Sequence, residues 1–216
     1  MVLLSLSIFL PTLAGLFLFL KNKTITPFLL CLFLGSMVTI LPILIKGCYL
    51  LNSIINIYIL FELVLFLFQF KKWGLFKKKF NFYVHIFLSM LVWLYTGICI
   101  SDIGIRNTYF RLFYSFILVL IATDFVNKIA FERIKLMKDY RFIICIGFII
   151  FYFYNIIIES FCLTKLGFSS QFIYNIFNIK SYLNAFVNLL YFVALVCIHK
   201  KMKQQSIMRS SMPVCL

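Results

Sequence analysis

Apolar runs of bilayer length recur along this chain, and they constrain its fold more than any other feature. Each run is close to the roughly 20 residues that a helix needs to cross the hydrocarbon core of a membrane. Short segments rich in Lys separate the runs, as loops separate the spans of a multi-pass protein. We predict seven spans: Leu3–Leu20, Pro27–Ile45, Leu50–Phe70, Phe82–Ile100, Tyr109–Asn127, Phe142–Phe161 and Tyr182–Ile198.

The composition argues against a soluble fold and against nucleic acid as a partner. Hydrophobic residues make up 64% of the 216 residues, which is more than a soluble core requires. The formal net charge of +15 comes from clusters of Lys and Arg between the apolar runs, so it reports membrane topology rather than nucleic-acid binding. We therefore expect one all-α domain, an integral membrane bundle of seven helices surrounded by lipid, with no soluble domain.

The basic residues also predict the orientation of the bundle. Of the 21 Lys and Arg residues, sixteen fall at one end of the alternating helices and five at the other. Basic loops of membrane proteins stay in the cytoplasm. We therefore expect the N-terminus outside, the C-terminus in the cytoplasm, residues 199–216 as a short basic cytoplasmic tail, and a location in the inner (plasma) membrane. The first run lacks a basic n-region and a small-residue cleavage site, so we interpret it as a retained helix.

Glu62 is an acidic residue deep inside the third predicted span, twelve residues from one end and eight from the other. A carboxylate at that depth costs roughly 3 kcal/mol on insertion unless it is protonated, paired or hydrated. At 100° per residue, Tyr58, Glu62 and Gln69 share one helix face, with Asn52 and Asn56 beside it. No basic residue in the same helix is within reach. Another helix, a proton or a water-filled cavity must therefore accommodate the carboxylate.

Polar stripes at helical spacing occur in four other predicted spans as well. Topology places those of the sixth and seventh spans in the outer half of the bundle. We predict that an outward-facing ligand cavity is lined by Glu62, Tyr58, Asn56, Asn155, Glu159, Asn184, Asn188 and Tyr191. The alternative is that such side chains join helices by hydrogen bonds, worth about 0.6 kcal/mol each on average.

A second polar cluster, formed by His85, Asp124 and Lys128, is predicted in the inner half. Asp124 and Lys128 have the i, i+4 spacing of a helical ion pair, so Asp124 is either a structural partner or a functional acid. The same cluster supplies a criterion for Glu62. If Glu62 meets His85 or Lys128, it is structural, and if it faces an open cavity, it belongs to a site.

The connections carry three further predictions. Ser169 or Ser170 can cap a short interfacial helix before the seventh span. The fifth helix is expected to run past the membrane, because residues 123–139 contain no helix breaker. One disulfide is compatible with the outer positions of three cysteines, Cys48, Cys99 and Cys162.

Motifs for metal or cofactor chemistry are missing from the sequence. It contains no HExxH, no GxSxG, no Cys/His spacing typical of metal sites and no local Cys–His pair. The seventh span has no lysine for a Schiff base. We expect no metal and no cofactor, and we do not predict an enzyme. An intramembrane enzyme would need Glu62 and Asp124 to meet as paired acids.

Three segments carry a resemblance to a known family. NIYILFELVLFLFQF in the third span, RFIICIGFIIFYFYN in the sixth and YLNAFVNLLYFVAL in the seventh, with Asn188 and Tyr191 as an N-x-x-Y pair, are similar to segments of small bacterial seven-span proteins of unknown function. The resemblance covers about half of the chain. It implies the same architecture and no particular activity.

Three functions are compatible with these patterns. The leading hypothesis is a receptor-like or sensory subunit that binds a small ligand in the outer cavity, while its lysine-rich inner loops contact a signalling partner or anionic lipid. The second is a transporter of a small solute, or a proton-coupled one, that uses Glu62 as the titrating group. The third is a structural or assembly subunit, in which Glu62 affects stability alone.

Overall fold

The computed structural model describes residues 6–19, 22–45, 47–76, 78–100, 103–132, 136, 139–163 and 168–210. Within these residues the chain is all-helical and forms no strand. A 3₁₀ turn at Leu6–Ile8 leads into the first helix, and a π-helical turn at Thr96–Ile100 extends the fourth. The helices are α1 (Phe9–Phe19), α2 (Thr26–Leu44), α3 (Cys48–Lys72), α4 (Lys79–Tyr95), α5 (Thr108–Glu132), α6 (Tyr140–Leu163) and α7 (Ser170–Ser210).

The lengths and compositions of these helices are those of a multi-pass membrane protein. Among the described residues, α2 to α7 are long and apolar enough to cross a membrane, whereas the apolar segment Leu6–Phe19 is shorter. Part of the predicted first span, residues 3–5 and 20, lies outside the described residues. Helix α5 continues to Glu132, which confirms that the fifth helix extends beyond the predicted end of its span at Asn127.

The connection before the last helix was predicted incorrectly. We expected a short interfacial helix and then a separate span from Tyr182, but α7 is one continuous helix from Ser170 to Ser210. No Pro or Gly interrupts residues 171–181, so the helix has no reason to break there. The capping prediction fits the structure, because the Ser169 Oγ accepts a hydrogen bond from the Phe172 N–H at 3.2 Å.

Six helices close into a ring, and α4 lies outside it. Helix α1 packs against α2 and α7, α2 against α3, α3 against α5, α5 against α6, and α6 against α7. Helix α4 rests on α3 and buries only Phe82 and Ser89 along its α-helical part. Its other face presents large apolar side chains such as Phe80, Phe87 and Leu91, as a lipid-facing helix should.

An aromatic cluster fills the middle of the ring. Phe28, Phe66 and Phe148 are at most 4% exposed, and the Phe66 and Phe148 ring centroids are 4.5 Å apart. Phe70 continues the cluster toward a stacked pair formed by Trp73 and Phe125, 5.2 Å apart. We call Phe28, Phe66, Phe70 and Phe148 the aromatic floor, because they close the ring beneath the cavity described below.

Hydrogen bonds between connections define one end of the bundle. The Lys72 Nζ donates to the Lys23 carbonyl at 2.7 Å, and the Lys128 Nζ donates to the Gly74 carbonyl at 2.6 Å. We call this the lysine-rich end. Buried Gln69 lies near it and stabilises the start of α2, because its Oε1 accepts from the Phe28 N–H and its Nε2 donates to a carbonyl in the preceding turn.

The second end is built around the connection before α5. Asn107 is the N-cap of that helix, since its Oδ1 accepts from the Phe110 N–H at 3.0 Å, and its Nδ2 donates to the Thr96 hydroxyl at 2.9 Å. We call this the Asn107 end. The outer positions of Cys48, Cys99 and Cys162 allowed one disulfide, but the six cysteines that the structure describes are free thiols: Cys31, Cys48, Cys99, Cys145, Cys162 and Cys197.

Candidate functional site

A polar cavity of about 340 Å³ lies inside the ring, above the aromatic floor and toward the Asn107 end. Every ring helix or the turn before it contributes to the wall. Its size is near the lower end of the range for small-molecule sites. The cavity brings together all but one of the residues predicted to bind a ligand: Tyr58, Glu62, Asn155, Glu159, Asn184, Asn188 and Tyr191.

Glu62 faces this cavity, and hydroxyl groups rather than a cation hold its carboxylate. The Glu62 Oε1 accepts from the Tyr58 hydroxyl at 3.1 Å and from the Tyr152 hydroxyl at 3.2 Å. No Lys, Arg or His of the described chain forms an ion pair with Glu62. It therefore meets neither His85 nor Lys128 and lines a cavity instead, which is the arrangement that we expected of a site residue.

Gly35 in α2 makes room for one of these hydroxyl groups. A Cβ atom at this position would lie 3.0 Å from the Tyr58 Oη and 3.0 Å from the Ile8 Cδ1. Contacts at 3.0 Å are tighter than most that real Cβ atoms make, so glycine lets the tyrosine lie close to α2 while it binds Glu62. Gly147 plays the same part for Tyr191, whose Cε1 would be 2.6 Å from an added Cβ.

An ion pair forms part of the wall at the Asn107 end. The Arg106 guanidinium donates to the Glu159 Oε1, and the Glu159 side chain is only 2% exposed. The same guanidinium lies over the Phe177 ring, 5.5 Å from its centroid. This contact links the connection before α5 to α6 and α7. It also neutralises Glu159, one of the two carboxylates that border the cavity.

Two basic side chains in the wall were not recognised as site residues from the sequence. Arg111 in α5 and Lys180 in α7 both line the cavity. The Lys180 Nζ lies 5.9 Å from the Phe151 ring centroid. Neither residue forms an ion pair with a carboxylate of the described chain. The sequence analysis counted both among the charges of the outer end, and the signal that it overlooked was their position on the polar faces of α5 and α7.

Several polar atoms in the wall have no hydrogen-bond partner among the described residues. They include the Arg111 Nε, the Asn155 Oδ1 and the Glu159 Oε2, all of which are buried. Buried polar groups in folded proteins nearly always find a partner, and an unsatisfied one costs about 1–3 kcal/mol. Together with the Ser115 Oγ, four such atoms belong to residues that line this cavity, which makes it suited to water or to a polar ligand.

Other polar residues of the cavity also connect helices. The Asn188 Nδ2 donates to the Ser7 hydroxyl at 2.8 Å and so ties α7 to the turn before α1. Tyr191 packs edge-on against Phe28 of the aromatic floor, with ring centroids 5.2 Å apart. The two interpretations offered for these stripes therefore apply together, because the same side chains join helices and line the cavity.

Asn56 was predicted to line the ligand cavity, but it binds the connection before α5 instead. Its Nδ2 donates to the Ile103 carbonyl at 2.9 Å and to the Ile105 carbonyl at 2.7 Å, and its Oδ1 accepts from the Asn107 N–H at 3.3 Å. It is not among the residues that line the cavity. These bonds occupy the whole amide, so Asn56 holds the connection before α5 in place. Neighbouring Asn52 supports it with one bond to the Gly104 carbonyl.

The predicted inner cluster is only partly assembled. His85 and Asp124 line a separate recess between α4 and α5, but Lys128 binds the Gly74 carbonyl. The proposed Asp124–Lys128 ion pair is therefore not formed. Asp124 and Glu62 line different recesses, so the paired-acid enzyme has no assembled site here.

Metal-ligand chemistry finds no support in the described part of the chain. No group of three or more His, Cys, Asp or Glu side chains there is placed to hold a metal ion. Comparisons with protein-family models, curated proteins and solved structures found no match to this chain. The resemblance to small bacterial seven-span proteins stays a prediction.

Proposed function

We propose that this protein is a receptor-like or sensory membrane subunit whose cavity binds a small polar ligand. The observation that carries the proposal is the Glu62 carboxylate, which faces the cavity at mid-helix without a counter-ion. Unsatisfied polar atoms on the opposite walls support it, because a ligand with matching groups would satisfy them. The lysine-rich end would contact a signalling protein or anionic lipid, and the signal would pass to that partner.

The proposal includes a topology of seven spans, with α1 as the first. The N-terminus lies outside and the lysine-rich end lies in the cytoplasm of a bacterial cell, as the positive-inside rule predicts for this distribution of charge. The cavity then lies in the outer half of the membrane. That position is where an extracellular or periplasmic ligand would arrive.

A transporter is the second candidate, because a mid-membrane carboxylate is typical of coupling sites. The aromatic floor favours the receptor. Phe28 and Phe70 are fully buried and Phe66 is 4% exposed, so closely packed rings lie between the cavity and the lysine-rich end. Transport would require these tightly packed rings to separate, whereas ligand binding does not.

Ligand-dependent stabilisation and solute flux separate the candidates. The purified protein in nanodiscs is heated with a panel of small polar metabolites, and the same panel is tested for flux in proteoliposomes. We expect some compound to raise the Tm, with no flux. Glu62→Gln should weaken that stabilisation by an amount equivalent to at least a tenfold loss of affinity, because a charged hydrogen-bonding group contributes about 1.5–3 kcal/mol.

His85→Gln is the matched control, since His85 lies outside the cavity. It should leave ligand binding unchanged. Flux that Glu62→Gln abolishes while the protein stays folded would instead establish the transporter. If no compound binds and none is transported, and Glu62→Gln changes only the Tm, the protein is a structural subunit.

A further inference from the structure

We infer that the ligand of this cavity is a small zwitterion whose organic cation binds at the Glu62 end and whose carboxylate or phosphate binds beside Arg111 and Lys180. This inference rests on the proposed ligand-binding function and specifies its substrate class. It follows from how charge and aromatic surface are distributed along the cavity.

The Glu62 end is suited to an organic cation. Both hydroxyl contacts reach the Glu62 Oε1, and the Oε2 receives no hydrogen bond from the described chain. Aromatic rings surround this carboxylate, with Tyr114 and Tyr152 ring centroids 5.4 Å apart and Phe66 6.2 Å from Tyr152. A carboxylate among aromatic faces binds an ammonium group by charge and by cation–π attraction.

The Asn107 end of the cavity is suited to an anion. Arg106 already neutralises Glu159 there, which leaves Arg111 and Lys180 without a carboxylate partner in the described chain. The buried Arg111 Nε also lacks a hydrogen-bond acceptor. Guanidinium and ammonium groups in this state bind carboxylate or phosphate oxygens strongly.

About one helical turn separates the two ends along α5. Tyr114 contacts Tyr152, whose hydroxyl binds Glu62, and Arg111 precedes Tyr114 by three residues on α5. Three residues rise about 4.5 Å along a helix, so the axial separation is roughly 5 Å. A ligand reaches each end through a hydrogen bond of about 2.9 Å, so a small zwitterion spans this distance without a long chain between its charges.

The test compares a zwitterion with its two halves. The full-length protein in phosphatidylglycerol nanodiscs is titrated with 6-aminohexanoate, hexylammonium and hexanoate, and affinities are read from calorimetry and Tm shifts. Glycine, 4-aminobutyrate and glycerophosphoethanolamine extend the series in charge separation and anion type. We expect at least one zwitterion of the series to bind at least tenfold more tightly than either monovalent ion of the C6 series.

Variants assign the two ends. Glu62→Gln should remove the preference for the zwitterion over hexanoate, and Lys180→Met should remove the preference over hexylammonium. Lys200→Met is the control, because Lys200 is exposed and distant from the cavity; it should change neither. Circular dichroism and elution volume verify that each variant is folded.

The outcomes distinguish this inference from the proposed ligand-binding function on which it rests. The inference is overturned if hexanoate or hexylammonium binds as tightly as every zwitterion. It is also overturned if only another class of metabolite binds. In both cases the ligand-binding function stands. No binding by any compound overturns both. Adding phosphatidylethanolamine to the nanodiscs identifies the source of the ligand. If this lipid competes with the soluble zwitterions, the site binds a lipid headgroup. If it does not compete, the site binds a free solute. Both of these results support the inference.

Discussion

Glu62 is stabilised by neutral hydroxyl donors, which leaves its charge available to something that enters the cavity. A buried carboxylate locked in an ion pair has little affinity left for a ligand, as Glu159 illustrates beside Arg106. Tyr58 and Tyr152 instead fix the direction of the Glu62 side chain without cancelling its charge. Orientation without neutralisation is the property that a recognition site needs.

Gly35→Ala tests how closely this arrangement depends on space. The added methyl would meet the Tyr58 hydroxyl and Ile8 at 3.0 Å, so these neighbours must shift by a few tenths of an ångström, and one of them is the hydroxyl that binds Glu62. We expect a loss of about 1–2 kcal/mol of stability from overpacking, together with weaker ligand binding. Thermal unfolding and ligand titration in nanodiscs measure the two effects.

Gly47→Ala provides the comparison, because a Cβ atom there has no neighbour within 4 Å. Its effect should stay within about 0.5 kcal/mol. If both alanine variants behave alike, the fit of Tyr58 against α2 is not important for the site.

Individual residues also mark the limit of what the sequence could predict. The faces of α3, α6 and α7 follow from helical periodicity, so Glu62, Asn155 and Asn188 could be placed together before the structure was known. Arg111 and Lys180 could not, because a base near the end of a span is usually at the membrane surface. Whether it turns inward depends on packing between helices, which one sequence does not record.

At the scale of elements, Asn56 joins α3 to the connection that starts α5. Its three hydrogen bonds satisfy the Ile103 and Ile105 carbonyls and the Asn107 N–H of this short loop, which buried backbone groups require. The same connection carries Arg106, whose guanidinium closes on Glu159. A side chain on α3 therefore positions an ion pair, between this connection and α6, that it does not touch.

Asn56→Leu should loosen this connection. Losing the buried amide leaves backbone groups at Ile103 and Ile105 unsatisfied, so we expect at least about 1 kcal/mol of local destabilisation and roughly tenfold faster hydrogen exchange in residues 103–107. Exchange measured by mass spectrometry on the protein in nanodiscs tests this. Asn52→Leu removes a single bond and should have a clearly smaller effect; equal effects would contradict the assigned role.

The helices themselves were largely predictable, and the exceptions have physical causes. The Asp124–Lys128 spacing permitted an ion pair, but the Lys128 ammonium is directed to the Gly74 carbonyl instead. The predicted seventh span begins later than α7, because residues 171–181 are less apolar than a span and their pattern is typical of a separate helix at the membrane surface. Hydropathy locates the lipid boundary, whereas helix ends depend on caps and breakers.

For the whole molecule, the proposed orientation predicts which cysteines react from outside the cell. Cys48 is exposed and begins α3 at the Asn107 end. In a variant that keeps Cys48 as its only cysteine, a membrane-impermeant maleimide should label intact cells. The same background with Cys48 replaced by Ser and carrying Lys200→Cys, at the lysine-rich end, should be labelled only after permeabilisation. The reverse pattern would invert the topology.

Helix α7 joins the cavity to the lysine-rich end in one uninterrupted piece. Its 41 residues form a rod roughly 60 Å long at 1.5 Å per residue. Lys180 and Asn188 lie on this rod within the cavity, and Lys200 and Lys201 lie further along it. A rigid rod acts as a lever: a pivot of about 5° at the cavity displaces a point 30 Å away by roughly 2.6 Å. A sub-ångström shift of α7 around a ligand would thus produce a larger displacement of α7 at the far side of the membrane.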